Sequence, residues 1–488
     1  LINHPLDCPV CDQSGECFLQ DYSYKYGRGV SRFEETKLKQ AKKDLGPHVY
    51  IYADRCIMCT RCVRFAREIP ETAEIMIDGR GNQSQIDVFP GVALDNELSA
   101  NVIDLCPVGA LLDKDFLFAQ RVWFLKNTPS IDGITASGDN ISIEHNEGKI
   151  YRFKPRTNMD VNKWWITDEV RYGWKFVHSD NRLQSPQHRR FGTLVDTDFS
   201  RAMEDAIELI TERTVNAGKR LMVMVSPMLS CEDAYALATL ARSIDEVAIL
   251  GLGPVPIDGE DKHFPPSAPE DDPKRFTMYA EKAPNERGVR RVLDAINKHR
   301  SPSYDTLVKK LKGEADVGAI ILTGNYPSAW ATDELMEQLI TPAVVMIDTL
   351  DSRIREVADI VLPSVTWTEK AGTFENANNL LQTFEQAIPV VTNAKSEGQI
   401  AADMTALLKG RELDRPSTNY AQVIVDEGPG QVPGATDVIS IPRATLFNPA
   451  NTRQEMAENH PALEVFTTDV RTPKTEAVRE TDMEMVEL

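Results

Sequence analysis

Eight residues near the amino end of the chain could ligate metal, and they form two sets of four. The first set is His4, Cys8, Cys11 and Cys17, in the stretch HPLDCPVCDQSGEC. The second set is Cys56, Cys59, Cys62 and Cys106, three of them in DRCIMCTRC and the last followed by proline. Seven clustered cysteines without an export signal fit poorly with disulfides and well with metal ligation in a reducing compartment.

The second set has the spacing of an iron–sulfur loop. A C-x2-C-x2-C run can place three thiolates around one face of a cubane, and a remote Cys-Pro can supply the fourth, as in bacterial ferredoxins. In two-cluster ferredoxins the last cysteine serves the other cluster, so placing Cys106 in this set is an inference. A structural zinc site is the alternative, but zinc usually takes two separated C-x2-C pairs.

The first set leaves two chemistries open. Three cysteines and one histidine can hold zinc, and imidazole can also replace thiolate on cluster iron, where its neutrality raises the reduction potential. Because a ferredoxin-like loop follows about forty residues later, iron–sulfur is the favoured interpretation.

Composition limits the class of protein. The chain has 488 residues, 42% hydrophobic and 26% charged, which is typical of a soluble protein with several domains. It contains no apolar run of about eighteen residues, so no membrane span is predicted. The net charge of −20 argues against a nucleic-acid partner. A first residue that is Leu and not Met suggests a processed or truncated chain.

The pattern along the chain predicts a multidomain α/β protein. A charged helical connector is expected from Ser31. The stretch NISIEHNEGKIYRFKPR alternates apolar and polar residues on either side of Asn146-Glu147-Gly148, which predicts a β-hairpin. The predicted domains are a first ligand segment (1–45), a ferredoxin-like domain (46–126), a small β-rich domain (127–184), an α/β domain (185–410) and an irregular acidic tail (411–488).

The α/β domain is predicted from apolar runs that alternate with amphipathic helices. The runs are LMVMVSP (221–227), VAILGLG (247–253), GAIILTG (318–324), AVVMIDT (343–349) and ADIVLPS (358–364). This alternation is typical of a mostly parallel sheet covered on both faces. No G-x-G-x-x-G motif opens a helix after these strands, so NAD binding has little support. Beyond residue 410, the stretches GPGQVPGATD, FNPANTRQEMAENHPALEVF and RTPKTEAVRETDMEMVEL are interpreted as loop-like or extended.

Four segments of the chain resemble the large iron–sulfur subunit of respiratory complex I, the NADH–quinone oxidoreductase. They are HPLDCPVCDQSGECFLQD, RCIMCTRCVRFAREI, ELSANVIDLCPVGAL and SIDGITASGDNISIEHNEGKIYRFKPR. The resemblance covers residues 1 to about 185. It implies that His4, Cys8, Cys11 and Cys17 bind one [4Fe–4S] cluster, and that Cys56, Cys59, Cys62 and Cys106 bind a second. Family members carry a [2Fe–2S] domain before these motifs, so we expect the natural polypeptide to continue upstream or a separate chain to dock there.

The resemblance implies an electron relay. Electrons would pass from an FMN-bearing, NADH-oxidising flavoprotein through two clusters to quinone-side iron–sulfur subunits. The relay would lie in a peripheral arm, at the cytoplasmic face of a bacterial inner membrane or on the mitochondrial matrix side. The family's later domain resembles molybdopterin oxidoreductases. Because residues 127–184 contain no cysteine and only Cys231 follows, we expect neither a third cluster nor bound molybdopterin.

Three alternatives remain from the sequence. Two are electron-transfer subunits, one of an NAD-linked hydrogenase and one of an NAD-linked formate dehydrogenase. By resemblance, the hydrogenase subunit ends soon after the all-cysteine motif. The formate dehydrogenase carries a metal-ligating Cys or selenocysteine and a further cluster. The third alternative is a scaffold protein that zinc stabilises and that has no redox role.

Overall fold

A computed structural model describes residues 2–37, 39–314, 316–327, 329–411, 413 and 447–473. The chain forms two compact units. The first, here called the ligand unit, comprises Leu1–Thr128, Asp139–Lys175 and Ile257–Lys282. The second, the α/β unit, comprises Pro129–Gly138, Phe176–Pro256 and Ala283–Leu488.

The helices and strands are given in chain order. The helices are α1 (Phe18–Tyr26), α2 (Arg61–Glu68), α3 (Asn101–Leu105), α4 (Asp168–Tyr172), α5 (Phe199–Arg213), α6 (Cys231–Ile244), α7 (Glu286–Asn297), α8 (Tyr304–Lys309), α9 (Asp333–Gln338), α10 (Glu397–Leu408), α11 (Pro449–Asn459) and α12 (Val465–Thr468). The strands are β1 (Lys42–Asp44), β2 (Val49–Tyr52), β3 (Ile75–Asp78), β4 (Gln85–Val88), β5 (Leu111–Asp113), β6 (Lys126–Ile131), β7 (Asn140–Asn146), β8 (Lys149–Pro155), β9 (Gln187–Arg190), β10 (Thr193–Asp196), β11 (Arg220–Val225), β12 (Ile249–Leu252), β13 (Lys262–Phe264), β14 (Phe276–Met278), β15 (Val317–Thr323), β16 (Ala343–Asp348), β17 (Ile360–Pro363), β18 (Gly372–Glu375) and β19 (Leu381–Phe384).

The ligand unit is built around a small antiparallel sheet in the order β1-β2-β5. In β2 the apolar residues Val49 and Ile51 are fully buried, and they pack in one core with Phe65 and Ala66 of α2. The sheet therefore fixes both sequence neighbours of the cysteine loop, since β2 leads into it and α2 leads out. A short strand therefore precedes the cysteine loop and a helix follows it.

The predicted hairpin in the β-rich segment is also confirmed. Strands β7 and β8 pair antiparallel, and Asn146 lies opposite Lys149 at the closed end. The two turn residues have left-handed backbone angles, φ +47° at Glu147 and φ +76° at Gly148. Two successive positive φ values match the right-handed twist of the flanking strands, which explains why the turn needs only two residues.

The α/β unit contains a seven-stranded sheet in the order β10-β9-β17-β16-β15-β11-β12. Strands β12, β11, β15, β16 and β17 are parallel, as their continuous apolar runs predicted. Alternate residues of β11 face two different hydrophobic cores, Leu221 and Val223 one of them and Met222 and Met224 the other. The predicted α/β fold with a mostly parallel sheet covered on both faces is confirmed. Sequence analysis missed the antiparallel edge formed by β9 and β10.

The predicted helical connector after Ser31 is wrong. Over residues 31–41, apart from the undescribed position 38, the chain has no helix, and β1 follows at Lys42. A short charged helix needs an apolar face that packs on the protein, and this stretch offers little apolar surface. Lys37 instead donates hydrogen bonds to the carbonyl oxygens of Ile2 (2.9 Å) and His4 (2.7 Å).

The interpretation of FNPANTRQEMAENHPALEVF as loop-like is also wrong, because this stretch forms α11 and α12. The Asn448 side chain accepts hydrogen bonds from the N–H groups of Ala450 and Asn451, and Pro449 occupies the first turn. Met456 and Phe466 are buried in a core of the α/β unit. The pair Asn448-Pro449 is typical of a helix N-terminus, so the start of this helix could have been predicted from the sequence.

Two further sequence predictions are not decided by the structure. The interpretations of GPGQVPGATD and of the acidic end after residue 473 lie outside the described residues. The predicted boundaries between the five domains remain predictions. Residues 257–282, which sequence analysis left inside the α/β domain, are grouped with the ligand unit. Among the described helices, none is both long and apolar enough to cross a membrane.

We predict that Phe466→Ala destabilises the α/β unit, because Phe466 is 1% exposed and anchors α12 in the core. Removing a buried phenylalanine ring should lower the free energy of unfolding by about 3–5 kcal/mol. The measurement is urea unfolding of the full chain followed by circular dichroism. Thr467→Ala, at the exposed neighbouring position, serves as the control. Equal stability of the two variants would contradict the packing of α12.

Candidate metal centres

The four residues of the first set lie around one cavity of about 280 Å³ in the ligand unit. Its walls are formed by His4, Pro5, Asp7, Cys8, Cys11, Ser14, Cys17, Gln20, Arg55 and Gly109. A short 3-10 turn, Cys8–Val10, separates the first two cysteines, and Cys17 directly precedes α1. The structure therefore brings together all four residues that the H-x3-C-x2-C-x5-C spacing had singled out.

Positively charged side chains fasten the first ligand segment through its backbone. Lys37 binds the carbonyl of His4, and Arg121 donates to the carbonyl oxygens of Pro9 and Cys11, the latter at 2.8 Å. Arg55 pairs with the Asp7 carboxylate at 3.2 Å. A segment with little regular structure is thus held at several points by hydrogen bonds that charged side chains donate. Hydrogen bonds from charged donors are stronger than hydrogen bonds from neutral donors.

The chemistry of the first cavity suits a metal group. Within the described residues, the Nδ1 atom of His4 is buried and has no hydrogen-bond partner. Burial lowers the pKa of His4, which favours the neutral imidazole that metals bind. Burial also raises the pKa of Cys11 and Cys17. An imidazole nitrogen and cysteine sulfurs are the ligand atoms that zinc and cluster iron bind.

The four residues of the second set line a separate cavity of about 350 Å³ in the same unit. Its walls are formed by Ile51, Cys56, Ile57, Cys59, Thr60, Arg61, Cys62, Ile86, Cys106, Val108, Ala110 and Leu111. The loop between Cys56 and Cys62 curls because Met58 (φ +55°) and Thr60 (φ +62°) adopt left-handed backbone conformations. Such positions are costly for residues with a Cβ, and they cluster at functional sites.

The thiols of the second cavity are strongly perturbed. Burial raises the pKa of Cys62 to about 12. Burial raises the pKa of Cys106 to about 11, although the backbone N–H groups of Val108, Leu111 and Ala110 act in the opposite direction. In the metal-free chain these groups are neutral thiols at pH 7. A bound metal would reverse this, because its charge deprotonates a coordinating thiol.

The segment from Cys106 to Gly109 forms a wall of both cavities. Cys106 and Val108 line the second cavity, whereas Gly109 lines the first. The Pro107 carbonyl accepts the N–H of Phe18 at 3.1 Å, directly after Cys17. A Cβ at position 109 would lie 2.2 Å from the Cys11 Sγ, so only glycine leaves room for that sulfur. The two ligand sets are therefore separated by one stretch of backbone.

Several residues that build the site were not predicted from the sequence. Glu16, next to Cys17, accepts hydrogen bonds from Arg152 (3.0 and 2.9 Å) and Lys154 (3.0 Å) of β8. Burial alone would raise the pKa of Glu16, but the charges of Lys154 and Arg152 outweigh it and lower that pKa to about 2. Arg55 and Gly109 were missed as well. No local pattern marks these residues, because each acts on a distant part of the chain.

The carboxyl edge of the parallel sheet, where open α/β sheets commonly bind ligands, is lined by a buried polar network in the α/β unit. The N–H of Asn325, after β15, donates to Asp348 at 2.6 Å, and its side chain donates to Glu397. Glu397 pairs with Lys370, which also contacts Asp233 at 2.8 Å. The side chains of this network thus pair with one another, except that the Oδ2 atom of Asp348 is buried without a hydrogen-bond partner among the described residues. The predicted lack of molybdopterin stays a prediction.

Four family models match parts of the chain. Residues 1–32 match the "NADH-ubiquinone oxidoreductase-G iron-sulfur binding region", and residues 46–112 match "NADH-quinone oxidoreductase subunit 3, ferredoxin-like domain". Residues 125–175 match "NADH-ubiquinone oxidoreductase NDSU1/NuoG-like, 4Fe-4S domain", and residues 293–406 match "Molybdopterin oxidoreductase". Domains of the [4Fe–4S]-binding kind are thereby indicated. The stretch 125–175 has no cysteine, and the number of clusters remains a prediction.

Curated relatives carry matching names. An NADH-quinone oxidoreductase component of Rickettsia conorii is 39% identical over 244 residues, which cover 50% of this chain and 36% of that protein. The mitochondrial NADH-ubiquinone oxidoreductase 78 kDa subunit of Neurospora crassa is 40% identical over 247 residues, covering 50% of this chain and 33% of that protein. The matched region thus spans about a third of these relatives' length.

Among solved structures, an NAD+-reducing [NiFe]-hydrogenase in the H2-reduced state is 31% identical over 25% of this chain and 53% of its own, with a TM-score of 0.23. That score is too low to compare folds. The similarity therefore rests on the family models and the curated relatives, each of which matches part of the chain. In these parts the chain is similar to the large iron–sulfur subunit of NADH–quinone oxidoreductase, as its ligand motifs predicted.

Proposed function

We propose that this chain is an electron-relay subunit of an NADH–quinone oxidoreductase. The observation that carries the proposal is the pair of cavities, each surrounded by one complete predicted ligand set and separated by the Cys106–Gly109 segment. In this proposal, His4, Cys8, Cys11 and Cys17 hold one [4Fe–4S] cluster, and Cys56, Cys59, Cys62 and Cys106 hold another.

When bound, such clusters accept and release one electron at a time. The chain's own part is to hold them close together and to keep water away. Val108, Ala110 and Cys17 contribute apolar contacts between the two cavities, packed in one small hydrophobic cluster. The Cys106–Gly109 backbone keeps the two sets at a fixed separation. An electron would therefore cross protein interior that is packed with buried apolar side chains.

The remaining features of the proposal extend the family likeness to this chain. Electrons would come from an FMN-bearing, NADH-oxidising subunit and leave toward quinone-side iron–sulfur subunits. A [2Fe–2S] cluster would lie upstream, in the same polypeptide or on a docked chain. The chain would sit in the peripheral arm of the complex, at the cytoplasmic or matrix side of the membrane. Molybdopterin is not part of this proposal.

A zinc scaffold remains the alternative from another class. A single zinc ion needs all its ligand atoms within about 2.3 Å of one point. In the part of the chain that the structure describes, no three His, Cys, Asp or Glu side chains are grouped to hold one ion. The C-x2-C-x2-C run of the second set also suits a cubane better than the two separated C-x2-C pairs that zinc usually takes.

The proposal is tested by metal analysis of the full chain purified without oxygen. We expect about eight iron and eight sulfide per chain, with EPR signals of two cubanes after dithionite reduction. Cys62→Ala should remove about half of the iron, because Cys62 is predicted to hold the second cluster only. Cys231→Ala, which removes a buried thiol of the α/β unit, should leave the iron content unchanged. Stoichiometric zinc with no EPR signal would contradict the proposal.

A second prediction concerns the histidine. His4→Cys should keep a cubane but lower the midpoint potential of the first cluster, since thiolate is anionic and imidazole is neutral. An EPR-monitored redox titration measures the shift. His263→Cys, at an exposed position on β13, is the matched control and should leave both potentials unchanged. An unaltered titration of His4→Cys would remove His4 from the ligand set.

A third prediction concerns the shared wall. In Gly109→Ala the new methyl group would overlap the Cys11 sulfur, so the first cluster should be lost or greatly depleted. Because the cysteines of the second set are unchanged, its EPR signal should persist. Gly29→Ala is the control, since a Cβ there would meet nothing within 4 Å. Full retention of both clusters in Gly109→Ala would show that the contact does not constrain the site.

A further inference from the structure

Arg55 directly precedes Cys56 in sequence, yet its side chain belongs to the other cavity. Cys56 lines the second cavity, whereas Arg55 lines the first together with Asp7 and Gly109. The two neighbours diverge because Ala53–Arg55 forms a tight 3-10 turn at the end of β2. One short stretch of chain therefore contributes to both predicted metal centres.

The guanidinium group of Arg55 is held in a fixed position. It donates to the Asp7 carboxylate (3.2 and 3.4 Å) and to the Gly109 carbonyl (3.4 Å). Its other face lies 4.3 Å from the centre of the Tyr52 ring. These contacts come from three separate segments, so Arg55 has little freedom to move away from the cavity.

The charges of Arg55 and Asp7 are unequally screened. The Arg55 side chain is 3% exposed, while the Asp7 side chain is 37% exposed. Water and salt reduce the field of an exposed charge much more than that of a buried one. The pair therefore leaves a net positive potential on the inner side, toward His4 and Cys11. In the second cavity the corresponding cation, Arg61, is exposed to solvent.

We propose that Arg55 is a positioning residue that raises the reduction potential of the group in the first cavity and leaves that in the second nearly unaffected. Reduction adds negative charge, and a fixed, poorly screened cation stabilises the reduced state more than the oxidised state. The inference rests on the proposed function. It assigns to the chain a means of setting the difference between the two potentials, in addition to the imidazole ligand.

The test is an EPR-monitored redox titration of the full chain purified without oxygen. Arg55→Met should lower the reduction equilibrium constant of the first cluster about tenfold, which is about 59 mV for a one-electron couple. Arg55→Lys keeps the charge and should stay close to the wild-type potential. Arg67→Met, the same substitution at an exposed position of α2, should shift neither potential.

Asp7→Asn supplies a test of opposite sign. It removes the counter-charge without removing the cation, so the first potential should rise, by less than the fall in Arg55→Met because Asp7 is partly solvated. Should Arg55→Met fail to retain the first cluster, Asp7→Asn and Arg55→Lys decide the question alone. The role of Arg55 would be overturned if Arg55→Met kept both cluster signals with unshifted potentials. It would also be overturned if Arg55→Lys shifted the first potential as much as Arg55→Met does. Absence of both signals in the wild-type chain would instead overturn the proposed function.

Discussion

The contact between the Gly109 backbone and the Cys11 sulfur is the constraint on which the ligand unit depends. At this point two segments almost a hundred residues apart meet with no space for a single methyl group. The contact aligns the ligand segment before α1 with the backbone that follows Cys106. Sheet β1-β2-β5 then fixes that backbone, since Tyr52 donates to the Ala110 carbonyl at 2.7 Å.

Local patterns were enough to predict most of the strands and to single out the two residue sets that each line one cavity. Cysteine spacing is set by the few bonds between neighbouring ligands, and the buried strands are continuous runs of Val, Ile and Leu. Both kinds of information lie within short stretches of sequence, except for Cys106, which lies 44 positions after Cys62. The hairpin turn at Glu147-Gly148 was predictable for the same reason. The left-handed backbone conformations of these two neighbouring residues define a two-residue turn.

The errors came where packing on distant parts of the chain decides the conformation. The connector after Ser31 has helix-forming residues but little apolar surface. Within it, Lys37 donates a hydrogen bond to the backbone carbonyl of His4. The stretch around Met456 looked polar, yet its few apolar side chains enter the core of the α/β unit. Arg55 and Gly109 could not be identified beforehand, because their partners Asp7 and Cys11 lie 48 and 98 positions away.

The shared wall has a consequence for how the two centres are assembled. The Cys106–Gly109 segment is already held by its hydrogen bond to Phe18 and by the close approach of Gly109 to Cys11, whatever the cavities contain. Loss of the group in one cavity would therefore leave the wall of the other cavity in place. The two centres are thus expected to fill independently, and a form of the chain with a single filled centre should persist.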